Sequence, residues 1–219
     1  MDLHLHEGIL LLNLDDESGK YTSSLAYFNY AFAAGIVIDL LLEDRVKIED
    51  NRLLLKTNAI TDSRALNAVI EQISRRKKPM KVSNWLHTIV QRSSKLYKLC
   101  IEKLIKQGIL ERKQAKILWV FNVNRYPTVN DQPENELRKR IKTLVLDDKA
   151  TPDRKEKLLL NIIGRCELLY VILADKAERK QGQKRLDQLI KDSDIDEHIG
   201  QAIEEMQAAM MVVTTTVVT

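Results

Sequence analysis

Cysteine, glycine, proline and aromatic residues are all scarce in this chain of 219 residues. The two cysteines, Cys100 and Cys166, are too few for a disulfide framework and indicate a reducing compartment. Seven glycines and four prolines exclude collagen-like and low-complexity classes. Hydrophobic residues make up 44% of the chain, which is enough for a packed core and excludes wholesale disorder.

Long hydrophobic runs are also absent, since no segment reaches the ~18 consecutive apolar residues of a membrane span. The charged residues near the start of the chain, Asp2 and Glu7, are acidic, whereas a secretory signal peptide begins with basic residues. The sequence therefore predicts a cytoplasmic protein that is soluble or attached peripherally to the cytosolic face of a membrane.

The motifs of common catalytic and metal centres are missing as well. The sequence has no Gly-rich phosphate loop, no CxxC pair, no HExxH and no strained serine elbow. His4 and His6 alternate beside Glu7, but residues two apart diverge by roughly 200° on a helix. The alternating aspartates from Asp192 to Asp196 lack the glycine and glutamate of a calcium loop. No catalytic residue, metal site or cofactor is therefore predicted.

Apolar residues at helical spacing dominate the sequence and predict a mainly α fold. The most apolar helix begins at Ser23 or Ser24 and ends near Leu42, and it is expected at the centre because it is apolar on nearly all sides. No Gly- or Pro-rich linker divides the chain, so residues 1–219 are expected to form one compact, mostly helical domain. Strand-like alternation predicts two short β-hairpins, at residues 45–55 and 109–121.

Caps and periodicity also predict the outer helices and one turn. The turn of the second hairpin is placed at residues 113–115. The helices are expected from Thr61 or Asp62 to Ser74, around Trp85, over 94–107 before Gly108, from a capping box at 131–134 to Leu146, from Thr151, over 167–189, and from near Asp194.

Lysine and arginine total 35 against 31 aspartates and glutamates, a mild excess of +4 that suits an anionic surface without requiring one. The cations are concentrated at residues 75–78, at residues 138–142, and at Arg92, Lys95 and Lys98, whose spacing of three places them roughly on one helical face. Such clusters are either solvated faces or contacts with phosphates, of a lipid headgroup or of a nucleic-acid backbone.

The second strand of the second hairpin is apolar on both faces, because residues 117–121 are all apolar. One face can cover the core, while the other needs a subunit, a membrane or a covering helix. Neighbouring basic residues give the hairpin the composition of an interfacial anchor. We therefore predict that it contacts a membrane or a second subunit through Lys113, Lys116, Ile117, Leu118 and Trp119.

Several short stretches stand in an order and at spacings that are typical of one family. They are EGILLLNL at residues 7–14, GKYTS at 19–23, IDL at 38–40, VSNW at 82–85, LIKQGIL at 104–110, and WVF at 119–121 followed by RYP at 125–127. Over nearly the whole chain, the sequence resembles the Golgi phosphoprotein 3 family, and it is similar to a compact bacterial relative of that family.

The resemblance implies a helical core wrapped by amphipathic helices, with one of the two hairpins projecting, here residues 113–124, and used for oligomer contacts and membrane docking. It also implies a peripheral protein that binds phosphatidylinositol 4-phosphate and acts as an adaptor for protein cargo. The family's headgroup pocket uses a Trp and three Arg, where this sequence has Ser24 or Leu25, Ala33 or Ala34, Ser94 and Tyr97. The headgroup site is therefore expected at residues on or beside these positions, namely Arg92, Lys95, Tyr97 and Lys98, with Tyr27 and Tyr30 as substitute aromatic residues.

The leading hypothesis is a non-enzymatic peripheral membrane protein that binds anionic phospholipid headgroups through basic residues and a hydrophobic hairpin, and that forms homo-oligomers through the hairpin. Two alternatives stay open: a structural or oligomeric adaptor without lipid binding, and a winged-helix-like nucleic-acid binder built from residues 94–121. The mild net charge and the lack of a clear basic recognition helix disfavour nucleic acid as a partner.

Overall fold

The structure, a computed structural model, describes residues 3–20, 25–117, 121–192 and 197–216. It is mainly helical with two small antiparallel sheets, which confirms the predicted fold class. The described helices are α1 (Leu5–Leu12), α2 (Leu25–Leu42), α3 (Arg64–Ser74), α4 (Val82–Gln91), α5 (Ser93–Lys106), α6 (Gln132–Leu146), α7 (Arg154–Arg165), α8 (Leu169–Ile172), α9 (Lys176–Lys191) and α10 (Glu197–Thr216). The described strands are β1 (Val46–Glu49), β2 (Arg52–Leu55), β3 (Met80–Lys81), β4 (Lys113–Ile117) and β5 (Phe121–Arg125).

Helix α2 lies at the centre of the core and packs against α1, α4, α7 and α10. Its side chains from Phe28 to Leu40 are almost all buried, as predicted for a helix that is apolar on every side. Helix α1 approaches it closely at Gly35, where an added Cβ would lie 3.0 Å from the backbone nitrogen of His6. The predicted capping residues at 23 and 24 lie outside the described residues. No described helix, α2 included, combines the length and the hydrophobicity needed to cross a membrane.

The first hairpin forms where it is predicted and gains a third strand. Strands β1 and β2 pair with Glu49 opposite Arg52. Asp50 and Asn51 turn the chain with φ of 48° and 57°, in the left-handed region that two-residue hairpin turns require and that short polar side chains tolerate. Strand β3 then pairs antiparallel with β2 and leads directly into α4.

The second hairpin has a different register from the one that alternation predicts. Lys113 pairs with Arg125 and Ile117 with Phe121, so residues 113–115 belong to a strand and the predicted turn there is wrong. The strands are joined by residues 118–120, which lie outside the described part of the chain. Alternation misplaces the turn because the polar residues 113 and 114 look like turn residues, whereas a two-stranded hairpin tolerates polar side chains within its strands. The bounds of 113–124 implied by the family resemblance agree with the structure within one residue.

The base of the second hairpin is held by the loop at residues 15–20. The backbone N–H of Thr128 donates to the carbonyl of Asp16 at 3.0 Å, and its hydroxyl donates to the Asp16 carboxylate at 2.8 Å. Gly19, with φ of 59°, lies so close to the chain that an added Cβ would be 2.3 Å from the backbone nitrogen of Tyr126. The hairpin is thus fixed at its root, while its two strands make their main contacts with each other.

Three of the predicted outer helices begin or end differently in the structure, and one of them is α7, which begins at Arg154 behind its N-cap Asp153 and not at Thr151. Helix α3 starts at Arg64 behind Ser63, which is the N-cap and whose hydroxyl accepts from the backbone N–H of Leu66. Thr61 instead bonds to Asn67, so neither Thr61 nor Asp62 caps the helix.

The single helix predicted over residues 167–189 is divided into α8 and α9. Asp175 caps α9 by accepting from the backbone N–H groups of Ala177 and Glu178. Apolar periodicity continues across this break, which hides it from a pattern search, whereas the strong N-cap carboxylate marks it.

Candidate functional site

Helices α3 and α5 pack antiparallel, and this brings two basic stretches of the sequence to one end of the pair. At the far end, Arg64 of α3 pairs with Glu102 of α5, with 2.6 Å between Nη1 and Oε2. At the near end, Ser74 and Lys95 line one open groove. The cations of residues 75–78, which follow α3, therefore lie beside those at the start of α5.

Eight exposed cations make up what we call the basic surface: Arg75, Arg76, Lys77, Lys78, Lys81, Arg92, Lys95 and Lys98. Within the described residues, Arg75 is the one member that has a carboxylate partner, Glu71. The other seven have no such partner in that part of the chain, so their charge is available to an external anion.

The segment from Gln72 to Ile101 carries all eight of these cations and contains no aspartate or glutamate. Taken separately, its basic runs are ordinary. The feature of the sequence that links these runs is the absence of acidic residues over thirty consecutive positions, which the number of cations by itself does not show. Because the segment has no acid of its own, its field keeps one sign across α4 and the first turns of α5.

The four residues predicted to bind a headgroup do not share one environment. Arg92, Lys95 and Lys98 are exposed. Tyr97 is only 5% exposed, its ring centroid lies 4.5 Å from that of Phe32, and its hydroxyl donates to the side chain of Asn29. Tyr97 therefore belongs to the core, because it occupies the inner face of α5, while Lys95 and Lys98 occupy the outer face and Arg92 is the N-cap.

The residues predicted for hairpin contacts lie at the opposite end of α5. Lys113 is exposed and pairs with Glu111, with 2.6 Å between Nζ and Oε1. Lys116 and Ile117 lie in β4, whereas Leu118 and Trp119 fall outside the described residues. At a rise of 1.5 Å per residue, the fourteen residues of α5 separate its two ends by about 21 Å.

The other basic run, residues 138–142, serves internal contacts. Arg138 donates to the backbone oxygens of Leu12 and Val171, at 2.9 and 2.7 Å. Arg140 and Lys142 pair with acids of α7 and α9. This run ties α6 to its neighbours and offers few free charges.

Asp39 of α2 caps the N-terminus of α1 from a buried position. Its carboxylate accepts from the backbone N–H groups of Leu5 and His6, at 3.0 and 3.1 Å, and lies 2.7 Å from Nδ1 of His6. The other ring nitrogen of His6 is 3.2 Å from the Ser63 hydroxyl. The order Ser63–His6–Asp39 is that of a nucleophile relay, but the buried Ser63 hydroxyl is the N-cap of α3, where it accepts from the backbone N–H of Leu66. These bonds hold α1 against α2 and α3.

His4 and two acids beside it have the spacing of metal ligands, with ligand atoms within 4.8 Å of one another. Its Nδ1 lies 3.5 Å from Glu43, and its Nε2 lies 2.8 Å from Asp62. However, the ammonium of Lys103 already lies 2.7 Å from Asp62 and 2.8 Å from Glu7. The hydrogen bond from Lys103 lowers the pKa of Asp62 to about 2. The group is therefore complete as an ion-pair network.

Comparison with known protein families agrees with this architecture. The sequence model described as Golgi phosphoprotein 3 (GPP34) matches residues 5–209. The match spans the central helix, both sheets, the basic surface and the second hairpin, and it reaches into α10. The chain belongs to the Golgi phosphoprotein 3 (GPP34) family.

Proposed function

We propose that this chain is a non-enzymatic peripheral membrane protein that binds anionic phospholipid through the basic surface. The observation that carries the proposal is the gathering of eight exposed cations, seven of them without a carboxylate partner in the described residues. Anionic headgroups on the cytosolic face of a membrane supply the missing countercharges. The hairpin adds a contact to the bilayer or to a second copy of the chain, and holding protein cargo at the membrane is the adaptor role that follows from the family resemblance.

Charge makes a substantial contribution to such attachment. Each Lys or Arg near an anionic membrane contributes about 1 kcal/mol, so three engaged side chains contribute about 3 kcal/mol. Salt screens such contacts over about 8 Å at physiological ionic strength. Binding is therefore expected to weaken as salt is added, while any apolar insertion by the hairpin is not weakened in this way.

Vesicle co-sedimentation tests the proposal. The wild-type chain is expected to sediment with phosphatidylglycerol vesicles and not with phosphatidylcholine vesicles. Replacing Arg92, Lys95 and Lys98 by Gln should weaken the binding on the order of 100-fold, because three contacts of about 1 kcal/mol are lost. The matched control replaces three exposed lysines of α6 and α9, namely Lys139, Lys180 and Lys184, and should bind as the wild type does.

Two further arms of the experiment distinguish the alternatives. Vesicles with phosphatidylinositol 4-phosphate, matched in charge to the phosphatidylglycerol vesicles, test for recognition of that headgroup beyond its charge. Duplex DNA tests the nucleic-acid alternative, which predicts a steep salt dependence. Equal loss of binding in both triple variants, or no sedimentation with any anionic vesicle, would refute the proposed role of the basic surface.

A further inference from the structure

A pocket at the edge of the basic surface takes no part in the contacts described so far. It encloses about 230 Å³ between β2, the end of α3 and α4. Two cations of the basic surface, Arg76 and Lys78, line it together with Ser74 and Trp85. The remaining walls are apolar and consist of Leu53, Leu54, Leu55, Ile73, Pro79 and Met80.

Trp85 contributes a buried donor that has no acceptor. Its side chain is 1% exposed, and its indole N–H has no hydrogen-bond partner among the described residues. Leaving a buried polar group unpaired is unfavourable, and a ligand that supplies an acceptor removes that cost. The guanidinium carbon of Arg76 lies 5.8 Å from the centroid of the Trp85 ring, so a cation stands next to the unpaired donor.

The polar side chains of the pocket offer donors and almost no acceptors. Arg76, Lys78 and the Trp85 indole can only donate. Ser74 already donates its hydroxyl hydrogen to the backbone oxygen of Glu71 at 2.9 Å. A fitting ligand therefore carries negative charge, has oxygen acceptors without nearby donors, and has an apolar part for the walls.

We infer that this pocket binds one molecule of an anionic glycerophospholipid. Its phosphate lies at Arg76 and Lys78, an ester carbonyl oxygen accepts from the Trp85 N–H, and the first part of an acyl chain lies against the apolar walls. An acidic peptide fits less well, because its backbone N–H groups would find few side-chain acceptors here. The inference rests on the proposed function and deepens it, since it assigns a defined site to part of the basic surface. The site is separate from positions 94 and 97 on α5, where the family resemblance places its headgroup arginines.

The indole N–H of Trp85 reports directly on the site. In the 219-residue chain with Trp119→Phe, Trp85 is the only tryptophan, so its indole signal in a ¹H–¹⁵N spectrum is unambiguous. Dihexanoyl phosphatidylglycerol, kept below its micelle concentration, should shift that proton downfield in a saturable manner, because the N–H gains an acceptor. Glycerol 3-phosphate has the phosphate but neither ester carbonyls nor chains, and it should leave the signal in place.

Neighbouring lysines provide a matched pair of variants. Lys78→Gln should lower the affinity for dihexanoyl phosphatidylglycerol about tenfold, since a charge-assisted contact to phosphate is lost. Lys77→Gln removes the same charge one residue away, from a side chain that does not line the pocket, and should change the affinity less than about twofold. Both side chains are exposed, so neither substitution is expected to disturb folding.

Three results would overturn the inference. The first is that the lipid does not shift the Trp85 signal, and the second is that glycerol 3-phosphate shifts it equally, which indicates a simple anion site. The third is a saturable shift with an acidic leucine-containing peptide in place of the lipid. The outcome is separable from that of the vesicle experiment. Sedimentation without an indole shift refutes the pocket and keeps the membrane role. A lipid-specific shift without sedimentation keeps the pocket and refutes the membrane role.

Discussion

Glu134, in the first turn of α6, is a carboxyl that is 1% exposed. Burial raises its pKa to about 7, and the neighbouring Asp16 carboxyl acts in the same direction. Arg138, whose Nε lies 2.6 Å from Oε1 of Glu134, opposes the change. The sequence predicts a capping box at residues 131–134, but Asp131 makes no side-chain cap bond. Glu134 bonds to Arg138 instead.

The raised pKa makes stability depend on pH. The folded state holds the Glu134 proton more tightly than the unfolded chain does, so the stabilisation is complete below about pH 4.5 and is lost as pH rises through about 7. In the wild type, this loss lowers the free energy of unfolding between pH 5 and 8 by up to about 3 kcal/mol, and Glu134→Gln should abolish that decrease. Urea unfolding at a series of pH values measures it. Glu136→Gln, on an exposed neighbour in the same helix, should keep the wild-type slope, and an unchanged slope in Glu134→Gln would contradict the assignment.

Residue types alone do not reveal which of the predicted headgroup residues are buried. Tyr97 and Lys98 are adjacent, and both suit a headgroup site by chemistry, yet the helix turns one inward and the other outward. The exposure of Arg92, Lys95 and Lys98 follows from helical spacing, which the sequence does contain. The burial of Tyr97 depends on the position of Phe28 and Phe32 in α2, which only the tertiary packing provides.

At the level of elements, the loop at residues 15–20 controls how the second hairpin is attached. Gly19→Ala would place a Cβ 2.3 Å from the backbone nitrogen of Tyr126 in addition to the strain of a positive φ. Gly108 also has a positive φ, of 71°, but nothing lies within 4 Å of an added Cβ there. Gly108→Ala should therefore cost about 1 kcal/mol of stability from backbone strain alone, and Gly19→Ala at least about twice that. If chemical denaturation gave equal losses in the free energy of unfolding for both variants, close packing of the loop against the hairpin root would be contradicted.

Elements with a strong internal pattern could be predicted from the sequence, and those defined by a partner could not. The central helix and the first hairpin follow from apolar content and from a short polar turn. The turn of the second hairpin and the division between α8 and α9 lie in stretches where the pattern is ambiguous. The basic surface needed the antiparallel packing of α3 and α5, because its two parts are separated in sequence by the whole of α4.

For the whole molecule, the arrangement around α2 predicts a single cooperative unfolding transition, as expected for one domain. Helices from both halves of the chain, including α1, α4, α7 and α10, pack on α2, so no part of the core is complete without distant segments. Differential scanning calorimetry should give a calorimetric enthalpy equal to the van't Hoff enthalpy. Two resolved transitions, or a van't Hoff enthalpy well below the calorimetric one, would indicate separate folding units.

The central position of α2 also has a consequence during synthesis on the ribosome. Helix α10, which covers part of α2, is translated more than 150 residues after α2 has ended. At about 5–20 residues per second, that interval lasts about 8–30 s, during which the most hydrophobic segment of the nascent chain lacks one of its covers. A ribosome-associated chaperone that binds nascent apolar segments is expected to contact α2 during this interval and to leave once α10 has emerged.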